Sequence, residues 1–154
     1  MVKPKKLKET KLLYRKTKDG SSYEKFHKLC DKQGATIVLI KSTEDLIFGG
    51  YTPLNWDSNS AVKNEEETFL FSLTNNKKYE KVKKSYNSIV CRKDIGPFFP
   101  YIGFRGVGIK NMDQGDFQYS ETEYFKGVNE IIPNEGIKRS FETKEVEIYK
   151  IIFN

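Results

Sequence analysis

The chain contains a single histidine, His27, and two cysteines, Cys30 and Cys91, so nitrogen-base and thiol chemistry rest on three side chains. His27-x-x-Cys30-Asp31 groups three of the ligand types that zinc accepts, and it also sets a thiol beside a base that could lower its pKa. A metal site would need a second His/Cys cluster. Cys91 is the only other thiol and its neighbours supply no motif, so no metal site is expected. A thiol nucleophile would have to be exposed. Tyr23, Phe26, His27 and Cys30 fall at i, i+3, i+4 and i+7, one face of a helix turned toward a core, and a core role outweighs catalysis. Cys30 assisted by His27 therefore stands only as the alternative catalytic pair. Gly103-Phe-Arg-Gly-Val-Gly108 lacks the lysine and the strand-to-helix context of a phosphate loop. The carboxylates of Glu65–Glu67 and Glu145/Glu147 read as solvated edges, with no environments that would separate an acid from a base.

The elements around these residues follow from periodicity. Thr10 to Arg15 reads as a short strand closed by the turn signal Asp19-Gly20. Ser21 or Ser22 can cap a helix to about Gln33, with Gly34 placed to stop it. Ala35–Lys41 is a continuous apolar, β-branched run, as expected of a strand covered on both faces. A strand from Asp45 to Tyr51 contains Gly49-Gly50, which signals a bulge or a close backbone approach. A polar connection around Trp56 follows, then strands at 67–73 and 79–86 joined by an Asn75-Asn76 turn. Further strands are expected at 88–92, 98–104 and 106–110, and a closing strand at 141–153. Residues 108–136 carry many turn formers and no clear period. One early helix, short strands and no helix–strand alternation predict a mainly β (α+β) fold: an antiparallel β-sandwich of two sheets with a few short helices.

Length and charge limit the remaining functions. A chain of 154 residues fits one domain, and the reading is a basic lead-in at 1–9 followed by a single domain at 10–154. Aliphatic residues are scarce, but nine tyrosines and eleven phenylalanines can build a core. The net charge of +6 is concentrated in residues 1–11 and 77–84, each carrying +4, so the rest of the chain is slightly acidic. Lysines rather than arginines supply these runs, which suits solvated surfaces better than a nucleic-acid footprint. No run is long and apolar enough to span a bilayer, the N-terminus has no secretory pattern, and two cysteines without a glycosylation sequon fit a reducing cytoplasm.

Several segments together resemble the TLDc domain. They are Lys11-Leu-Leu-Tyr-Arg15 with Asp19-Gly20, Phe26-His27-x-x-Cys30-Asp31, Gly34-x-Thr36-Ile-Val-Leu-Ile-Lys41, Phe48-Gly49-Gly50-Tyr51 with Trp56, Phe69–Leu73, and Phe141 with Glu145–Tyr149. The blocks run in order over about residues 10 to 152, with a less typical stretch between Ile102 and Asn134. The resemblance implies a two-sheet β-sandwich and a non-enzymatic, cofactor-free interaction domain. It further implies a part in resistance to oxidative stress and a protein partner, the vacuolar proton pump (V-ATPase). Asp19, Gly20, Phe48, Gly49, Gly50, Tyr51 and Trp56 are the partner-contact residues that follow from it.

Overall fold

A computed structural model describes residues 4–83, 87–105, 111–117, 124–131 and 139–154. Strand β1 (Leu7–Arg15) leads into a single helical turn, α1 (Lys16–Asp19), and then helix α2 (Tyr23–Cys30). Next come β2 (Thr36–Ser42), β3 (Ile47–Thr52), β4 (Ala61–Lys63), β5 (Phe69–Ser72), β6 (Lys77–Glu80) and β7 (Ile89–Cys91). The described chain closes through β8 (Ile102–Gly103), β9 (Gln114–Phe117), a 3-10 turn (Val128–Ile131) and the long β10 (Arg139–Phe153).

The fold is mainly β, antiparallel and poor in helix, as the strand pattern implied. The order β6-β5-β3-β2-β10-β9-β8 forms one curled sheet, β1 pairs along β10 as an eighth strand, and β4-β7 is a separate pair. Strand β10 joins the two halves. Its first four residues pair with β9, Thr143 to Lys150 pair with β2, and Glu147 to Phe153 pair with β1 on the other side.

Several boundaries move for identifiable reasons. Helix α2 starts where expected, with the Ser22 hydroxyl accepting from the Lys25 amide at 3.1 Å. It ends at Cys30 rather than near Gln33, because the following backbone pairs elsewhere: the Lys32 amide donates to the Trp56 carbonyl at 2.8 Å, and the Gly34 amide to Asn55 Oδ1 at 2.6 Å. Gly34 does adopt a left-handed φ of 79°, but within the connection and not at the helix end. The Asp19-Gly20 turn is the end of α1, with Gly20 at φ 87° reversing the chain. Strand β6 begins two residues before its expected start and ends at Glu80, and residues 84–86 of that expected strand lie outside the described residues. The expected strand at 98–104 is instead a tight hairpin in which Phe99 and Ile102 exchange amide–carbonyl bonds of 2.9 and 3.1 Å across Pro100. The strand expected at 106–110 lies outside the described residues, as do 108–110, 118–123 and 132–136 of the unassigned 108–136 stretch, whose described part holds β9 and the 3-10 turn.

The core is aromatic, which answers the low aliphatic content. Alternate residues of the strands (Val38, Ile40, Phe48, Leu70, Val146, Ile148) meet Tyr23, Phe26 and Cys30 of α2. Trp56 sits edge-on to Phe26 at 5.8 Å and to Phe99 at 5.6 Å between ring centroids, the favoured T-shaped geometry. Its indole N–H donates to Thr36 Oγ1 at 2.9 Å, so the one polar atom of the largest buried side chain is satisfied.

Candidate functional site

His27 and Cys30 do share one helix face, and that face is buried. Cys30 is fully enclosed, and burial raises its thiol pKa far above the ordinary value, with the nearby Asp31 and Asp19 carboxylates adding to the shift. Cys91 is enclosed too, its thiol likewise pushed up chiefly by burial. The His27 ring lies 2.7 Å from Asp31 Oδ1 through Nδ1 and 2.8 Å from the Ile95 carbonyl through Nε2. Both ring nitrogens are thus engaged by oxygen atoms away from Cys30, and neither is directed at the thiol. Asp31 in turn accepts from the Ser58 hydroxyl at 2.8 Å. The cluster ties α2 to the 55–58 connection and to the 95 loop. It is a structural clasp, and the thiol-nucleophile reading loses its two physical requirements, access and a low pKa. Among the described residues no group of three or more His, Cys, Asp or Glu side chains is placed to hold a metal ion.

The expected partner-contact residues separate into three groups. Phe48 and Trp56 are core side chains, each 1% exposed. Gly49 and Gly50 lie inside the sheet with no break in register against β2 or β5, so the pair marks close approach and not a bulge. A Cβ on Gly49 would fall 1.8 Å from the Val38 carbonyl oxygen, and one on Gly50 would fall 2.5 Å from the Phe99 ring. These four residues are packing requirements and offer no side-chain surface. Asp19 and Gly20 lie at the surface, on a turn held from several sides. Asp19 Oδ2 accepts from the Arg15 amide at 3.0 Å, and the Gly20 carbonyl accepts from the Tyr14 hydroxyl at 2.5 Å. Beside them Lys16 reaches Asp113 at 2.8 Å and Thr143 Oγ1 at 2.8 Å, which pins α1 to β10.

Tyr51 points to a surface that sequence reasoning missed. It pairs with Ile37 on one side and Phe69 on the other, on the face of the sheet opposite the core. That face forms an open groove of about 940 Å³ with Ile37, Tyr51, Phe69, Ile151 and Phe153 on its floor. Strand β2 explains why: Thr36, Val38 and Ile40 are buried in the core, while Ile37 and Leu39 on the other face are only half-buried. The cover expected on both faces is present on one. The rim is charged and internally paired. Lys78 lies 4.4 Å from the Phe69 ring centroid and 2.9 Å from Glu80, and Lys5 spans to Glu67 at 3.4 Å. Lys81, whose ammonium is pushed down by burial against the pull of Glu65 and Glu66, holds the rim loop by donating to Asn64 Oδ1 and to Ser88 Oγ at 3.1 Å. The signal available in the sequence was the unbroken apolar run of β2, which demands cover on two faces where the chain supplies it for one.

The lysine run of the β5–β6 hairpin is likewise committed to neighbours: Lys77 bonds Glu130 at 3.1 Å and Lys78 bonds Glu80. Within the described residues no helix is long and apolar enough to cross a membrane.

Comparison with known proteins adds two findings. The TLDc domain profile matches residues 1–152, essentially the whole chain. The MTOR-associated protein MEAK7 of Danio rerio is 29% identical over 63 residues, which is 41% of this chain and 14% of that protein. The chain thus spans a small part of that curated relative's length.

Proposed function

This chain belongs to the TLDc domain family, and from that premise we propose that it is a non-enzymatic interaction module acting in the cytoplasm in resistance to oxidative stress, by binding and regulating the V-ATPase. In this reading the two halves of the curled sheet serve as the two layers of a sandwich that presents the contact surfaces. One observation carries the non-enzymatic part: the only thiol–imidazole pair in the chain is enclosed and bonded into the fold, while the accessible features are an apolar groove and a structured turn. Similarity to a protein whose name associates it with MTOR is consistent with a role exerted through protein partners. Of the contact residues that the family resemblance implied, this reading takes Asp19 and Gly20 at the surface turn as the contact with the outside partner.

Binding of purified V-ATPase subunits to the immobilised chain tests this. Retention of a defined subunit by the wild type, reduced by Asp19→Lys, is the expected result. Failure of every subunit to bind at micromolar concentrations would overturn the V-ATPase assignment.

A further inference from the structure

An antiparallel sheet with one face in the core ordinarily shows water a polar second face. Here the second face is apolar across five strands. Leu12 of β1 pairs with Tyr149 of β10, Tyr149 with Ile37 of β2, Ile37 with Tyr51 of β3, and Tyr51 with Phe69 of β5. Ile151 and Phe153 continue the apolar surface toward Leu7, which is 61% exposed. Tyr51 and Ile151 lie deep in this strip, 7% and 8% exposed, while Ile37, Phe69, Tyr149 and Phe153 are half-buried; none belongs to the core cluster, which takes the alternate positions of the same strands. Contiguous apolar surface of this kind marks an interface, whereas scattered single residues do not.

The charge on this face selects its occupant. The chain carries +6 overall, yet the groove is lined by Lys5, Lys78 and Lys81 against Glu66, Glu67 and Glu80, three of each sign. A polyanion such as nucleic acid or an acidic membrane would seek the unbalanced lysines elsewhere. A twofold interface has a different requirement: each patch must be complementary to itself, so its charges must balance about an apolar centre. We infer that this outer sheet face is an interface between two copies of the chain, packed sheet to sheet about a twofold axis. Two such faces pack at the usual sheet–sheet spacing of about 10 Å, with the apolar strip of one on that of the other and the rim charges, already paired within each copy, surrounding it without net repulsion. Covered in this way, the groove is closed to an outside partner, which is left the Asp19–Gly20 turn.

Sedimentation equilibrium of the 154-residue chain over roughly 5–200 µM provides the test, a range suited to a standard-sized interface without a tight hot spot. The wild-type mass is expected to rise from 17.9 kDa toward double that value. Leu7→Glu and Leu12→Glu, both at exposed positions on the face, should each hold the protein at the monomer mass, with an unchanged circular-dichroism spectrum. Val62→Glu, on the separate β4–β7 pair and 57% exposed, should leave the rise intact. A wild type that stays monomeric throughout overturns the inference, and an outside partner on this face then becomes the alternative. It is equally overturned if the dimer survives both face variants or is lost in Val62→Glu.

Discussion

Labelling of Cys30 in the folded protein separates an interaction module from a thiol enzyme most directly. The perturbation is a thiol reagent such as an aromatic disulfide, applied at pH 7 to native protein and to protein in concentrated guanidinium. An unfolded thiol with a pKa near 8.5 is about 3% ionised at pH 7, and that fraction sets the reference rate. In the native state Cys30 is fully enclosed, and burial lifts its pKa so that its thiolate is rarer still. Reaction then requires opening. Tyr23 and Phe26 occupy the same face of α2 and must leave the core with Cys30. Exposing two such side chains costs roughly 1.5–3 kcal/mol each, or about 3–6 kcal/mol together. At 1.4 kcal/mol per decade, the native rate should be about 10²–10⁴ times slower than the denatured rate. Mass spectrometry of the Cys30 and Cys91 peptides over time reads this ratio. Native labelling of Cys30 within tenfold of the denatured rate, or a sulfenic acid at Cys30 after peroxide treatment of folded protein, would refute the reasoning and restore the thiol-enzyme alternative.

Other perturbations test the architecture. Gly50→Ala places a methyl 2.5 Å from the Phe99 ring, which must shift against Trp56. Such overpacking costs about 1–3 kcal/mol and should lower Tm by about 2–4 °C per kcal/mol, while in a Phe99→Ala background most of the Gly50→Ala penalty should vanish. Thr36→Val keeps the shape but leaves the Trp56 indole N–H buried without an acceptor, so guanidinium unfolding should show a loss of about 1–3 kcal/mol that Thr36→Ser largely restores. Asp57 has a lowered pKa: burial opposes ionisation, but the Lys63 ammonium, the Asn59 amide and Lys32 together outweigh it. Its folded-state pKa lies below the unfolded one, so its stabilisation is present above about pH 4 and is lost as pH falls through the folded value. Asp57→Asn should therefore flatten the acid limb of a stability–pH profile.

Much of the local structure was legible because short-range patterns encode it. The i, i+3, i+4, i+7 set correctly placed His27 and Cys30 on the buried face of α2. The Asn75-Asn76 signal located the β5–β6 turn, with Asn76 in the left-handed region at φ 53°. Gly49-Gly50 was legible as a bulge or a close approach, but which of the two, and the approaching atoms, were not, because Val38 and Phe99 arrive from other strands and loops. The end of α2 was misjudged for a related reason. Helical periodicity continues to Gln33, while the bonds from Lys32 to Trp56 and from Gly34 to Asn55 that divert the backbone come from a connection over twenty residues away. Phe48 and Trp56 were read as surface because a family block and a polar context do not record burial.

By itself, then, the sequence determined most of the elements and the core face of α2, and it confined nitrogen-base and thiol chemistry to one histidine and two cysteines. The continuous apolar run at 35–41 also recorded that β2 is apolar on both sides. Only the tertiary structure decided which side is covered. Burial is a property of what packs against a face, and in this chain α2, Trp56 and the 98–103 hairpin all pack on one side of the sheet. The opposite side, with Ile37, Tyr51 and Phe69, is left as an open groove with balanced charge at its rim. Alternation in a strand cannot express that difference, because a covered face and an uncovered one can carry the same residues.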